Sequence, residues 1–271
     1  HFSCISRSFT DSFHSLSPLK PWVTKLSSAG LVYFHFGHRV LMELTRIKPE
    51  DPLLEVLFDK VYEGFVEEVD AIDNGISQTD EVVRYSVTTT LSNRVSHLNP
   101  HWNSREQDTR EGFHKAMAMV GMEFKDRVDY FVNAWIPARE IVEQAIKTRH
   151  QVDVSGEIIL LDQGGCPWKE HLFSLEQVLG LDQDIKFVLY RDQNERWRVQ
   201  CVPQGPRTFN NRLSLLEEWR GLRDEALSST SGIPGCIFVH AGGFIGGNQT
   251  RDGALEMARR TLQTAPTATS V

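Results

Sequence analysis

The stretch that decides the fold is CIFVHAGGFIGGNQTRDGALEMARR, residues 236–260. A short apolar run leads into a histidine, four glycines follow within six residues, and a polar segment then opens a helical pattern. Glycine lets the backbone approach a ligand closely, and the free N–H groups of a helix start attract anions. The pattern therefore indicates either a phosphate-binding loop or a tight turn packed through its glycines. The residues concerned are His240, Gly242, Gly243, Gly246 and Gly247.

Known glycine motifs do not separate these two interpretations. No Lys-Ser or Lys-Thr pair follows the glycines, so the stretch is not a P-loop, and it lies far from the start of the chain, where a dinucleotide fingerprint normally occurs. Arg251, at the predicted helix start, would add a cation to an anion site. His240 at the strand end favours a functional role, with a core histidine as the alternative. Taken alone, the residues favour both interpretations of the loop equally.

An acidic segment, EGFVEEVDAIDNG at 63–75, forms the second candidate site. Glu63, Glu67 and Asp70 share one face of a predicted helix, and Asp73 follows Asp70 by three residues. Carboxylates near a helix C-terminus are unfavourable to the helix dipole, which predicts a compensating cation, either arginine or a metal. Oxygen ligands suit Mg²⁺ or Mn²⁺. The alternative is a solvated acidic face.

Two further clusters are weaker. The segment CPWKEH at 166–171 places Lys169 and His171 after a predicted strand, either in a site or in a surface turn. A basic tract is interleaved with acidic residues, which favours a mixed surface over a polyanion site. That tract consists of Arg207, Arg212, Arg220 and Arg223.

Composition excludes some classes of protein. The 271 residues carry a formal net charge of −7, which argues against a generally basic nucleic-acid binder but not against a local basic groove. No apolar run approaches the roughly 20 residues of a membrane helix. The four cysteines are widely spaced, which predicts free thiols and no structural zinc site.

Hydrophobic periodicity predicts an α/β fold in two parts. A helix-rich part, 1–150, is followed by a smaller α/β or α+β part, 151–264, and a disordered tail, 265–271. Pro137 should kink or divide a long helical pattern over 109–149. Other predicted helices begin at Ser28 and cover 52–73 and 252–263, and the predicted strands are 156–161, 184–190, 196–203 and 235–241.

Several blocks resemble the melanocyte-proliferating-gene (Myg-type) exonucleases, a family of DHH-type phosphoesterases. They include YEGFVEEVDAIDNGIS, SGEIILLDQGGCPWKEHL and SGIPGCIFVHAGGFIGGNQTRDGALEMAR, and the resemblance runs from about Arg7 to Leu262. It implies a DHH-type catalytic domain, a substrate-binding domain and a 3′-to-5′ RNA exonuclease of mitochondria and nucleus that uses Mn²⁺ or Mg²⁺. Single-stranded RNA or nucleotide ends are the implied partners, and no membrane is implied. The metal residues would be Asp70 and Asp73, and the substrate residues His240, Gly242, Gly243, Gly246, Gly247, Arg251, Lys169 and His171.

The chain departs from the family pattern at its start. The family's Asp-His-His block belongs before RSFT, where Cys4 and Ile5 stand in place of the histidines, and two further metal motifs would lie upstream. Two-metal cleavage needs more ligands than two aspartates. We therefore expect a truncated form that retains no catalytic residue, binds metal weakly or not at all, and is impaired in cleavage. The alternative is an inactive RNA-end or nucleotide-binding protein or an incomplete gene product; the sequence leaves the oligomeric state open.

Overall fold

The computed structural model describes residues 11–181, 183–206 and 208–264. The chain forms two compact units, His1–Asn133 and Ala134–Val271. The sequence placed the division near residue 150. The predicted disordered tail, Arg207, Cys4 and Ile5 lie outside the described residues.

The first unit is helical within its described residues. Helix α2 begins after Ser27, whose hydroxyl accepts from the Ala29 N–H at 3.1 Å, and α3 has a proline in its first turn. A π-helical turn, Tyr62–Val66, joins α3 to α4, so the predicted helix over 52–73 is confirmed with one irregular turn. The helices are α1 (Phe13–Leu16), α2 (Ser28–Thr45), α3 (Pro52–Val61), α4 (Glu67–Asp73), α5 (Leu91–Ser96) and α6 (Thr109–Tyr130).

An aromatic cluster forms the core of the first unit. The rings of Phe13 and Tyr62 lie 4.0 Å apart, and those of Tyr33 and Phe58 stack at 4.7 Å. At Gly37 a Cβ atom would lie 2.7 Å from the Phe58 ring, so glycine allows α2 and α3 to approach closely. Burial of these rings stabilises the helix packing by the hydrophobic effect.

The outer face of α2 is apolar. Val32, Phe36 and Val40 are exposed and, with Phe65 and Phe124, line a groove of about 450 Å³ within the first unit. Within the described ranges, none of the helices combines the length and the apolar character that a membrane span requires.

The second unit is a mixed α/β structure. A second π-helical turn, Phe131–Trp135, precedes α7, and Pro137 lies in the first turn of α7, so the predicted division of the long helix is confirmed. The remaining elements are α7 (Ile136–Lys147), α8 (Arg149–Val152), β1 (Ile158–Leu161), α9 (Lys169–Leu179), β2 (Phe187–Arg191), β3 (Trp197–Cys201), α10 (Asp224–Ser231), β4 (Cys236–Val239), β5 (Ile245–Asn248) and α11 (Arg251–Thr264).

Five strands form one sheet in the order β1-β2-β3-β5-β4. The β1–β2 pair is parallel and the other three pairs are antiparallel. The four predicted strands are therefore confirmed, whereas β5 and α10 were not predicted. The α/β class is confirmed for a mixed sheet; the identity of each part as a catalytic or substrate domain stays a prediction.

Two hydrophobic clusters lie on opposite faces of the sheet. On one face α11 packs across β2, β3 and β5, with Met257 and Ala258 fully buried. On the other face α7 and α9 pack on Ile159 and Leu161 of β1 and on Val188 of β2. Helix α11 thus covers one face at β2, β3 and β5, and α7 and α9 cover the β1–β2 half of the other.

Candidate functional site

The glycine-rich stretch is a β-hairpin, and strand β5 lies between its turn and helix α11. The His240 N–H donates to the Ile245 carbonyl at 2.9 Å, and the Gly243 N–H donates to the His240 carbonyl at 2.8 Å. Gly243 has φ +67°, a conformation that favours glycine. The first two glycines thus lie in the hairpin turn, while the second two lie in strand β5.

The glycines of β5 are explained by close packing. A Cβ atom at Gly246 would lie 2.9 Å from Met257 of α11 and 3.0 Å from Leu215. At Gly247, on the opposite face, it would lie 2.4 Å from the Nη1 atom of Arg198. Gly246, which the sequence assigned to substrate binding, therefore lies where the packing of α11 leaves no space for a side chain, whereas at Gly247 the nearest atom is the end of a flexible arginine side chain.

The start of α11 is capped by the chain itself. The Thr250 hydroxyl accepts from the Gly253 N–H at 3.0 Å, and the Asn248 side-chain oxygen accepts from the Thr250 N–H at 2.9 Å. Arg251 is exposed beside this cap. Strand β5 separates the cap from the hairpin turn by roughly 10 Å, so Arg251 does not join His240 in one loop.

His240 is exposed at the hairpin turn. Its Nδ1 atom accepts from the Gly242 N–H at 3.0 Å, and its ring lies 4.6 Å from that of Phe244. Because Nδ1 accepts a hydrogen bond, the neutral ring carries its proton on Nε2. That N–H group can donate to an anionic oxygen of a ligand.

Arg220 lies against the same turn. Its Nε donates to the Leu215 carbonyl at 3.0 Å, and a Cβ atom at Gly243 would lie 2.6 Å from that Nε. In the part of the chain that the structure describes, no carboxylate pairs with this guanidinium. The sequence analysis assigned Arg220 to a mixed surface. Because Arg220 lies about 20 residues before the turn, no local sequence pattern indicated this contact.

Asp70 is fully buried, and neutral donors satisfy its carboxylate. One oxygen accepts from the Ser27 N–H at 3.0 Å, the Ser27 hydroxyl at 2.6 Å and the Gly30 N–H at 2.9 Å; the other accepts from the Tyr62 hydroxyl at 3.0 Å. Burial raises the pKa of Asp70 and outweighs these hydrogen bonds, which lower it. The compensation that the sequence expected from a cation is thus supplied by the N-terminus of α2 and by Tyr62.

The other acidic residues do not join Asp70 in a cation site. Asp73 is exposed, and Glu67 accepts from the Thr24 hydroxyl at 2.7 Å. Among the described residues no three His, Cys, Asp or Glu side chains are grouped so that they could hold a metal ion. The arrangement of the described residues does not fit a two-metal centre. Metal binding by Asp70 and Asp73 stays a prediction, and it would require Asp70 to give up its present hydrogen bonds.

Lys169 and His171 lie in the first turn of α9. His171 is 1% exposed; its Nε2–H donates to the Trp135 carbonyl at 2.7 Å, and the two rings are 4.1 Å apart. Lys169 is exposed, with its ammonium 5.9 Å from the Trp168 ring. His171 is therefore a buried helix residue and not part of a surface turn, while Lys169 is exposed to solvent.

The fold and the site define a class: a two-unit protein whose mixed α/β unit carries a histidine and a glycine turn on a hairpin, with a half-buried arginine packed against that turn. Such a grouping of an N–H donor and a cation is suited to phosphate oxygens. The chain belongs to the MYG1 exonuclease family: the model of that family, described as the uncharacterised protein family UPF0160, matches residues 5–262.

Relatives extend this assignment across distant organisms. The chain is 61% identical over 264 residues to the MYG1 exonuclease of Bos taurus, covering 97% of this chain and 69% of that protein. It is 60% identical over 257 residues to the MYG1 exonuclease of Homo sapiens, covering 94% and 68%. The MYG1 protein of Dictyostelium discoideum is 46% identical over 262 residues, covering 95% and 77%. No solved structure matches the chain.

Proposed function

We propose that this chain takes part in 3′-to-5′ exonuclease chemistry on RNA and that its second unit binds the 3′ end of a single strand. The observation that carries the proposal is membership of a family whose close relatives are named exonucleases, at up to 61% identity. The hairpin turn supplies the matching chemistry, because His240 and Arg220 offer an N–H donor and a guanidinium to a terminal phosphate.

A bound Mn²⁺ or Mg²⁺ would activate the attacking water, and Asp70 and Asp73 are the residues that would hold it. This chain's own residues hold the RNA end: His240 donates from Nε2, its Nδ1 being fixed by Gly242, and Arg220 balances the phosphate charge at Gly243. By the same family resemblance we propose the mitochondrion and the nucleus as the sites of action.

A second candidate function is RNA-end binding without cleavage. The observation that favours it is the buried, fully hydrogen-bonded carboxylate of Asp70, because a saturated aspartate is a poor metal ligand. Both functions include binding of the RNA end, and they differ in whether the RNA is then shortened.

One experiment separates the two. A 5′-labelled single-stranded RNA and a circular RNA of the same sequence are incubated with the chain and Mn²⁺, and both binding and product length are measured. We expect preference for the linear RNA and progressive loss of its 3′ nucleotides; binding without shortening would favour the second function. His240→Ala should weaken binding of the linear RNA, whereas His114→Ala, an exposed histidine of α6, should not. Equal affinity for linear and circular RNA would reject both functions.

A further inference from the structure

A row of side chains crosses four strands on the sheet face where α7 and α9 pack. It begins beside those helices at Tyr190 and continues over the part of the face that they leave open. The registers align Tyr190 with Arg198, Arg198 with Gly247, and Gly247 with Phe238. An isolated bridge then aligns Phe238 with Arg223. The row therefore runs Tyr190, Arg198, Gly247, Phe238, Arg223, and we call it the open-face row.

Contacts between side chains show that the row forms one surface. The guanidinium carbon of Arg198 lies 5.2 Å from the centre of the Phe238 ring, and that of Arg223 lies 5.8 Å from it. A Cβ atom at Gly247 would meet both Arg198 Nη1 at 2.4 Å and Phe238 at 3.2 Å. Gly247 thus leaves the space that Arg198 Nη1 occupies, and the Phe238 ring packs with two guanidinium groups.

The two arginines differ in their charge balance. Arg198 pairs with Asp192 at 2.5 Å, and its Nη1 is buried without a hydrogen-bond partner among the described residues. Arg223 is exposed, and no salt bridge of the described residues includes it. Arg198 therefore acts as a fixed flat group beside the ring, while Arg223 brings a guanidinium without a salt bridge to the edge of the row.

The row continues towards the hairpin turn. Successive residues of a strand alternate between faces, so His240 follows Phe238 on the same face. The residue between them, Val239, belongs to the core on the opposite face. A strand of nucleic acid whose terminal phosphate lies at His240 can therefore extend along this face.

We infer that the open-face row binds an unpaired nucleotide of a single-stranded nucleic acid. The base stacks on the platform formed by Phe238 and the Arg198 guanidinium, and Arg223 contacts the adjoining phosphate. Aromatic side chains on an exposed sheet face and arginine planes are the groups on which unpaired bases stack in RNA-binding sheets. The inference rests on the proposed function for the identity of the ligand, but it concerns base recognition and not hydrolysis.

The test measures binding in EDTA, where metal-dependent hydrolysis does not contribute. Fluorescence anisotropy compares the whole chain and its variants on a 12-nucleotide single-stranded RNA, on the matching DNA, and on an abasic strand of equal charge. Phe238→Leu should weaken binding of RNA by roughly fivefold or more and leave the abasic strand unaffected, because only stacking is lost. Arg223→Gln should weaken binding of both strands and lower the salt-dependence slope by about 0.7.

Matched variants and a spectroscopic signal control for folding. Phe209→Leu and Arg139→Gln alter an exposed phenylalanine and an exposed arginine outside the row and should bind like the parent chain. A 2-aminopurine base in the RNA should be quenched by the parent chain and not by Phe238→Leu. Equal weakening of Phe238→Leu on the abasic strand, or unchanged RNA binding by this variant, would overturn the inference.

The outcomes distinguish this inference from the exonuclease proposal. RNA shortening combined with unchanged binding by Phe238→Leu would reject base stacking and keep the exonuclease. Base-dependent loss of binding without any shortening would support the row and reject cleavage by this chain. Equal affinity for the RNA and the DNA would show that the row reads the base and phosphate and not the 2′-hydroxyl.

Discussion

At the scale of single residues, Asp70 shows how one carboxylate organises a helix start. It lies 43 positions from Ser27 and 40 from Gly30 in sequence, yet its carboxylate accepts hydrogen bonds from the N–H groups of both. Gly30 is required for this contact, since a Cβ atom there would lie 2.1 Å from the Asp70 carboxylate. The residue that the sequence assigned to a metal is thus a tertiary cap of α2.

The first prediction concerns this cap. Asp70→Ala should lower the free energy of unfolding by about 2–4 kcal/mol, because it leaves buried donors of Ser27, Gly30 and Tyr62 unsatisfied. Asp73→Ala, a change at an exposed position of the same helix, should alter it by less than about 0.5 kcal/mol. Urea denaturation followed by circular dichroism measures both. Equal effects of the two substitutions would contradict the capping role.

The second prediction concerns pH. Asp153 is 8% exposed; burial raises its pKa, but hydrogen bonds from Ser155 and the 2.7 Å contact with Arg259 outweigh burial and hold the pKa below the ordinary value. As pH falls, the unfolded state therefore takes up a proton at Asp153 before the folded state does. The stabilisation from ionised Asp153 is fully present above the ordinary aspartate pKa of about 4, and it is lost as pH falls through the lower pKa of the folded state.

Asp153→Asn should accordingly destabilise the chain at pH 7 and lose its effect at low pH. The difference in urea midpoint between the parent chain and the variant should shrink as pH falls below about 4. Asp162→Asn, at an exposed position after β1, serves as the control. A difference that stays constant from pH 7 to pH 3 would refute the assignment.

At the scale of elements, the glycines of the hairpin divide into two kinds. Gly246 lies in β5 beneath α11, where Met257 and Leu215 leave no space for a side chain, whereas Gly242 lies in the turn with its nearest neighbour, His240, at 3.4 Å from a Cβ position. Glycine is unfavourable within a strand, and close approach of α11 offsets that cost here.

The third prediction follows from this difference. Gly246→Ala should cost about 1–3 kcal/mol of stability by overpacking the contact between β5 and α11. Gly242→Ala, the matched change in the turn, should cost less than about 1 kcal/mol. Thermal and urea unfolding of the two variants provide the comparison, and a more harmful Gly242→Ala would show that the packing explanation is wrong.

At the scale of the whole molecule, each unit has its own core. The first unit packs aromatic rings between helices, and the second packs helices on both faces of a sheet. Units with separate cores can open separately, because local stability depends on local burial and hydrogen bonding.

The fourth prediction tests this separation by hydrogen–deuterium exchange. Asp70→Ala should raise exchange in α2 and α4 and leave β2 and β3 protected, whereas Gly246→Ala should raise it in β5 and α11 and leave α2 unchanged. A matching increase across both units in either variant would mean that the chain opens as a single cooperative body.

The elements were largely predictable because their signals are local. Apolar spacing marked the helix over 52–73 and the four strands rich in branched residues, and Pro137 marked the break before α7. Strand β5 was missed because Ile245–Asn248 carries two glycines and no alternating pattern. The resemblance was equally readable from residue blocks, and the match over 5–262 confirms the family.

The sequence by itself determined most helices and strands, the α/β class and the family. Only the tertiary structure decided what the candidate residues do. In the folded chain Asp70 caps α2 and His171 packs on Trp135. Arg220 lies at the glycine turn, and Phe238 contacts Arg198 and Arg223. The physical reason is the distance along the chain over which each property is decided. Periodicity is a local signal that indicates which face of an element is buried. Hydrogen-bond partners and the space for a Cβ atom depend on residues far apart in sequence, which only the folded chain brings together.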